Sequence, residues 1–239
     1  MPLAIDLFCG LGGWTEGLIA EGYDVVGFDI EQHIYGEHRY PAQLVVQDVL
    51  TLHGRQFKDA TLIVSSPPCQ AYSYRAMPWK RAKALPPPDN TLFDACFRIQ
   101  REACEAAGRH VPLVVENVRG AQKWVGRARW NFGSFYLWGD VPALMPTTFR
   151  AQKNPGFRFD GSGRSFQSES VDRHTKNSGG SWFNIGSPRQ KVVNQNPVHA
   201  LSSKSGARKF ASAMIAKIPL ALSRHIARTF LAQHARAAA

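Results

Sequence analysis

The apolar positions of this chain fall into short, almost continuous runs separated by amphipathic segments. Such runs predict strands that are buried on both faces, and helical spacing between them predicts covering helices. The predicted strands span residues 3–8, 24–28, 44–47, 61–64, 112–115 and 130–140. Helical spacing occurs over residues 14–20, 31–39, 91–107 and 212–235, with Gly108 ending the third helix and Pro219 interrupting the last. Strands that alternate with helices predict an α/β domain with a mostly parallel sheet.

The first three predicted strands end in features that are typical of a nucleoside-binding, Rossmann-like half-domain. The first strand runs into CGLGG, residues 9–13, while Asp29 ends the second strand and Asp48 ends the third. Glycines let a ligand approach the backbone, and a carboxylate about 20 residues further on can accept hydrogen bonds from ribose hydroxyls. The alternative for the glycine turn alone is that it only lets a helix pack closely on a strand.

The fourth predicted strand ends in SSPPCQAYS, residues 65–73, which contains Cys69. Two prolines cannot continue a sheet ladder, so the chain leaves the strand in a stiff loop that presents Cys69 at the carboxyl edge, where α/β sheets bind ligands. The fifth strand delivers Glu116 to the same edge. Taken alone, a cysteine is usually a core residue and a strand-end glutamate is usually solvated, so the candidate site depends on the two occurring together.

The formal net charge of +11 lies almost entirely in the last 90 of the 239 residues. Residues 1–149 contain 14 Lys and Arg against 15 Asp and Glu, residues 150–210 contain 11 against 3, and residues 211–239 contain 4 against none. This asymmetry indicates either a polyanionic partner such as nucleic acid or a solvated basic surface.

No segment has the length of a membrane span or the pattern of a signal peptide, so we expect a soluble, cytoplasmic protein. The four cysteines show neither CxxC spacing nor an adjacent pair of histidines. We therefore expect reduced thiols and no metal site.

Six segments, in order, resemble the successive motifs of the DNA (cytosine-5) methyltransferase family. They are DLFCGLGGW at residues 6–14, GFDIE at 27–31, QDV at 47–49, SPPCQAYS at 66–73, NTLFDACFRI at 90–99 and ENV at 116–118. The resemblance implies a Rossmann-like methyltransferase fold that binds S-adenosylmethionine. The implied cofactor residues are Phe8, Gly10, Leu11 and Gly13 around the ligand, Asp29 at the ribose, Ile30, Asp48 and Val49 at the adenine, and Leu92 closing the pocket.

The same resemblance implies that Cys69 adds to carbon 6 of a flipped cytosine while Glu116, with a raised pKa, supports ring nitrogen 3. Family members carry a QxRxR motif, and GRARW at residues 126–130 offers Arg127 and Arg129 as its counterpart, with Val125 in place of the glutamine. The alternative is that both arginines are solvated or phosphate-facing residues on a helix that begins near residue 119.

We therefore predict a catalytic domain formed by residues 1–149 and 211–239, with a small basic target-recognition region over residues 150–210. This compact layout is similar to that of phage-borne methylases. The predicted reaction is methyl transfer to carbon 5 of cytosine in duplex DNA, with no metal or membrane involved. The alternatives are the same chemistry on RNA, or a nucleic-acid-binding protein without turnover.

Overall fold

The computed structural model describes residues 1–73, 84–145, 209–210, 213–214 and 216–237. Nearly all of them belong to one compact unit formed by Met1–Ser73, Pro86–Thr147 and Lys217–Ala239. Its strands are β1 (Leu3–Leu7), β2 (Asp24–Asp29), β3 (Gln43–Val46), β4 (Leu62–Ser65), β5 (Leu113–Asn117), β6 (Trp130–Phe132) and β7 (Phe135–Gly139). Its helices are α1 (Gly13–Ala20), α2 (Thr91–Ala107), α3 (Gln122–Val125) and α4 (Leu220–Ala237), with short 3₁₀ turns at Val49–Thr51, Gly54–Phe57 and Arg119–Ala121.

The seven strands form one sheet in the order β3-β2-β1-β4-β5-β7-β6. The first five are parallel, whereas β7 runs antiparallel to β5 and β6 antiparallel to β7. The chain order reverses beside β1, so the ends of β1, β2 and β4 surround the switch point at which such sheets bind ligands. The predicted α/β, Rossmann-like fold with a mostly parallel sheet is confirmed.

The inner strands β1, β4 and β5 are buried on both faces because alternate side chains enter two separate cores. On one face, Ile5, Ile63 and Val115 pack with side chains of α2. On the other face, Ala4 and Val114 pack with side chains of α1 and α4. The apolar runs therefore form strands because each run supplies both cores at once, which is the pattern expected of parallel strands covered by helices.

Two predicted elements are wrong, and a third is shorter than predicted. The helix over residues 31–39 is absent: Gly36 adopts a φ of 62° inside a turn closed by a Tyr35–His38 bridge, and Ile34 is 56% exposed, so no apolar face is buried. The single strand over residues 130–140 is a hairpin, β6–β7, because Gly133 (φ 59°) reverses the chain. The helix near residue 119 ends at Val125, before Arg127 and Arg129.

The predicted recognition region, residues 150–210, lies almost wholly outside the described residues and stays a prediction. Among the described residues, no helix is long and apolar enough to cross a membrane. In the same part of the chain, no group of three or more His, Cys, Asp or Glu side chains could hold a metal ion.

Candidate active site

The turn after β1 combines an open position with closely packed ones. Phe8, Gly10 and Gly12 all have left-handed backbones, with φ values of 56°, 51° and 75°. A Cβ built at Gly10 would meet no atom within 4 Å, whereas one at Gly12 would lie 2.5 Å from Pro41 and one at Gly13 only 2.4 Å from the Ile218 backbone nitrogen. Gly13 therefore serves close packing, whereas the space beside Gly10 is open, and ligand binding there stays a prediction.

Asp29 ends β2 beside this turn. Its Oδ2 accepts a hydrogen bond from the Gly10 N–H at 2.9 Å, and His33 lies 3.6 Å from Oδ1. Burial opposes ionisation of Asp29, but the hydrogen bonds from His33 and Gly10 outweigh it and hold the pKa below its usual value. A fixed carboxylate therefore faces the open position at Gly10, and the neighbouring Ile30 side chain is 70% exposed.

Asp48 lies two residues beyond β3, the strand that pairs with β2. Its carboxylate accepts from the Leu50 N–H at 2.9 Å and caps the 3₁₀ turn that contains the buried Val49. The backbone N–H of Gln47 donates to the carbonyl of Asp29 at 2.8 Å, which ties the ends of the two strands together. The acids predicted at the ribose and the adenine thus follow neighbouring strands at one edge.

Leu11 and Leu92 complete the predicted cofactor residues. Leu11 is 6% exposed within the turn, and Leu92 is partly buried in the first turn of α2. Helix α2 begins where predicted, and its first N–H group is capped by Asp89, whose Oδ1 accepts from the Thr91 N–H at 2.8 Å.

Hydrogen bonds from the protein interior hold the loop that carries Cys69. The Ser66 hydroxyl accepts from the indole N–H of Trp14 at 3.0 Å, and the Pro67 carbonyl accepts from the Asn117 side-chain amide at 2.9 Å. The Cys69 carbonyl then accepts from the N–H groups of Tyr72 and Ser73, both at 3.0 Å, forming a tight turn. Cys69 is therefore presented, partly buried, on a fixed loop beyond β4.

Glu116 lies level with the start of this loop, because Ser65 of β4 pairs with Val115 of β5. It is only 9% exposed. Burial raises the pKa of Glu116 to about 8, despite an opposing hydrogen bond with the Ser66 side chain. At neutral pH the carboxyl therefore keeps its proton and can donate a hydrogen bond, as predicted for this residue.

The other three cysteines are poor candidates for the nucleophile. Burial raises the pKa of the Cys9 thiol far above its usual value and that of Cys96 to about 12. Both thiols therefore keep their protons near neutral pH. Because only the deprotonated thiolate is nucleophilic, neither cysteine can act as the nucleophile. Cys104 lies in the last turns of α2, away from the carboxyl edge.

Arg127 and Arg129 form no hydrogen bond or ion pair with Glu116 in the described part of the chain. Both are exposed in the loop between α3 and β6, and neither side chain forms an ion pair or hydrogen bond within the described residues. Their catalytic role stays a prediction, and their exposure agrees with the alternative of solvated or phosphate-facing arginines.

Sequence reasoning did not single out Asp6, Ser66 or Asn117. The first is a charged residue inside an otherwise apolar strand, which is a visible signal of a buried polar network. Ser66 and Asn117 contribute to the site because β4 and β5 are neighbours in the sheet. The sequence of either segment alone does not show that the two strands are adjacent.

The family model described as C-5 cytosine-specific DNA methylase matches residues 3–125, which is half of the chain. The chain belongs to the C-5 cytosine-specific DNA methylase family. The matched part contains Cys69, Glu116 and every predicted cofactor residue, but ends before Arg127 and Arg129. Among curated proteins the chain has no match.

Three solved structures resemble this C-5 cytosine-specific DNA methylase only remotely. A DNA modification methyltransferase encoded within an E. coli prophage shares 25% identity over 52% of this chain and 34% of its own, with a TM-score of 0.37. The Schizosaccharomyces pombe Dnmt2 methyltransferase shares 17% identity over 51% of this chain and 36% of its own, with a TM-score of 0.34. The Entamoeba histolytica methyltransferase EhMeth shares 18% identity over 52% of this chain and 40% of its own, with a TM-score of 0.37. The chain thus spans only about a third of the length of the first two.

Proposed function

We propose that the protein transfers a methyl group from S-adenosylmethionine to carbon 5 of cytosine in DNA. The observation that carries this proposal is the buried Glu116 carboxyl, whose pKa burial raises to about 8 and which lies level with the start of the Cys69 loop. A protein that only bound nucleic acid would not need a buried acid in this state beside a presented thiol. Family membership supports the same reaction.

The residues around Gly10 fit the proposed cofactor. The Asp29 carboxylate is ionised and faces the open position beside Gly10, which suits the two hydroxyls of a ribose. The exposed Ile30 side chain supplies an apolar flank for an adenine, with Asp48 and Val49 following the adjacent strand. When bound, the cofactor would supply an electrophilic methyl group. The side chains of this protein must then make carbon 5 of cytosine nucleophilic.

Cys69 would do so by covalent catalysis. Its thiolate forms a bond to carbon 6 of cytosine, the carbon 5–carbon 6 double bond opens, and electron density moves through the ring toward nitrogen 3. Glu116 donates its proton, or a strong hydrogen bond, to that nitrogen as the density arrives. After methylation, nitrogen 3 returns its proton to Glu116, and a solvent water takes the proton from carbon 5. Loss of that proton restores the carbon 5–carbon 6 double bond and expels the Cys69 thiolate, which leaves the enzyme unchanged.

The target base would have to leave the DNA helix to reach these groups. Glu116 is 9% exposed and Cys69 is partly buried, so a cytosine stacked within a duplex cannot touch both. Extruding a base costs a few kcal/mol, which contacts to its edge and faces can offset. We therefore propose base flipping as part of the reaction.

Bisulfite sequencing of DNA from a methylation-free host that expresses the protein tests this function. We expect protected cytosines at a recurring sequence with the wild type and none with Cys69→Ser, whose folding is checked by circular dichroism. Bisulfite treatment of RNA from the same cells is the parallel measurement. Unprotected DNA together with protected RNA would contradict the DNA assignment and favour the RNA alternative, and no protection in either would contradict the activity.

A further inference from the structure

The connection from β5 to β6, residues 118–130, includes α3 and is strongly basic; we refer to it as the 118–130 loop. It contains Arg119, Lys123, Arg127 and Arg129, and no acidic residue occurs between Asn117 and Gly139. All four cationic side chains are exposed. Within the described residues none of them forms an ion pair, and Lys123 alone has an aromatic partner, with its Nζ 4.6 Å from the centre of the Trp124 ring.

Three arginines elsewhere in the same unit, by contrast, are paired with acids. Arg98 pairs with Glu102 at 2.9 Å, and both Arg224 and Arg228 pair with Glu21 at 2.7 Å and 2.9 Å. Clustered cations repel one another, so a folded chain that leaves several of them close together and uncompensated presents a surface for a polyanion.

The backbone that carries the four cations is held in place from several sides. The Trp138 indole donates to the Gly126 carbonyl at 2.9 Å, and the Ala128 N–H donates to the side chain of Gln122 at 3.2 Å. The Arg129 N–H donates to the carbonyl of Leu137 at 2.8 Å. Binding a partner would therefore order only the side chains, which lowers the entropic cost of docking.

The loop also stays close to the candidate active site. It begins two residues after Glu116 and returns to the sheet at Trp130. Leu137 of β7 is paired with Trp130 on one side and with Glu116 on the other. Neighbouring strands are about 4.8 Å apart, so the backbones of Glu116 and Trp130 are separated by about 10 Å. A nucleic acid whose base reached Glu116 would therefore have its backbone within range of long basic side chains from this loop.

We infer that the exposed cations of the 118–130 loop bind the phosphate backbone of the DNA that carries the target cytosine. Three of the four are arginines, whose planar guanidinium groups bind phosphate oxygens in pairs. This inference rests on the proposed function. It assigns Arg127 and Arg129 to phosphates, in place of a direct contact with the reacting base.

The salt dependence of DNA binding tests the inference. Removing one cation that neutralises a phosphate should reduce the slope of log affinity against log salt by about 0.9, so a variant with Arg119, Lys123, Arg127 and Arg129 changed to Gln should show a slope smaller by up to about 3.6. A matched variant changes four exposed cations elsewhere in the unit to Gln: Arg55, Lys58, Arg101 and Arg236. It carries the same net charge and should keep the wild-type slope. Calorimetric affinity for S-adenosylmethionine verifies that both variants are folded.

An unchanged slope in the loop variant, or equal reductions in both variants, would overturn the inference while leaving the proposed function intact if the wild type still methylates DNA. A wild type that binds no DNA would contradict both. A second variant, with only Arg127 and Arg129 changed to Gln, separates docking from catalysis. Phosphate docking predicts a raised KM for DNA with kcat retained at saturation, whereas a fall in kcat would assign these arginines to the reacting base.

Discussion

Asp6 is a fully buried acid in the middle of β1, and replacing it should make the stability of the protein less dependent on pH. Its Oδ2 accepts a hydrogen bond from the Thr15 hydroxyl at 2.6 Å, and the Tyr40 hydroxyl lies 2.6 Å from that same Thr15 oxygen. Its Oδ1 has no hydrogen-bond partner within the described residues. Burial, opposed by the Thr15 hydrogen bond and reinforced by the charge of Asp29, raises the pKa of Asp6 from its ordinary 3.8 to about 7.

The sign of the effect follows from proton binding. Between pH 4 and 7 the folded chain holds a proton on Asp6 that the unfolded chain has released, so the free energy of unfolding falls as pH rises through that window. Each tenfold difference in proton affinity is worth about 1.4 kcal/mol, so ionised Asp6 destabilises the fold by about 4 kcal/mol above pH 7. Asn at position 6 keeps the shape of the protonated acid and cannot ionise. Asp6→Asn should therefore remove this destabilisation.

Urea unfolding of the wild type and Asp6→Asn at pH 4, 5, 6, 7 and 8 measures the effect. The variant should gain stability relative to the wild type as pH rises, with the difference between them changing by several kcal/mol across the series. Asp24→Asn, at the exposed start of β2, is the matched control and should run parallel to the wild type. Parallel curves for Asp6→Asn would refute the reasoning, because they would mean that Asp6 has the same pKa folded and unfolded.

Three other predictions concern the active site and its support. Because burial raises the pKa of Glu116 to about 8, kcat should fall above pH 8 as the carboxyl loses its proton, and a rate that still rises at pH 9.5 would argue against its role as acid. Alanine at Asp29 or Asp48 removes a polar contact worth about 1–3 kcal/mol and should weaken S-adenosylmethionine binding roughly five- to 150-fold, as measured by calorimetry. Unchanged affinity in both variants would contradict the assignment of a nucleoside site to these residues. Gly13→Ala places a Cβ 2.4 Å from the Ile218 nitrogen and should lower stability by about 1–3 kcal/mol, whereas an unchanged Tm would contradict this packing role.

The local spacing of apolar residues was sufficient to predict the elements that bury an apolar face. Helix α2 has the predicted bounds, Thr91–Ala107, because its apolar stripe packs on the sheet and Gly108 supplies the left-handed stop at a φ of 62°. The helix predicted over residues 31–39 is wrong because helical spacing of a few apolar residues forms no helix without a surface to cover. The 130–140 hairpin could not be separated from a continuous strand, because one glycine among aromatic residues does not by itself mark a chain reversal.

The candidate site was predictable only in part, because some of its contacts depend on which strands lie next to each other in the sheet. Asp29 and Asp48 could be placed at one edge because parallel strands end together. The contacts of Asn117 with Pro67 and of Glu116 with Ser66 could not be predicted, because they depend on which strands become neighbours. The raised pKa of Glu116 likewise comes from burial by side chains distant in sequence, so the sequence indicated the need for a protonated acid without showing its cause.

Covalent trapping on DNA that contains 5-fluorocytosine is the measurement that most directly tests the role of Cys69. Fluorine on carbon 5 prevents the proton loss that expels the thiolate, so the adduct should accumulate. With S-adenosylmethionine present, the wild type should form a complex that survives denaturation, and peptide mapping should locate the bond at Cys69, while Cys69→Ser should form none. A complex linked through another residue, an equal yield from Cys69→Ser, or no complex from a wild type that methylates ordinary DNA would contradict the proposed mechanism.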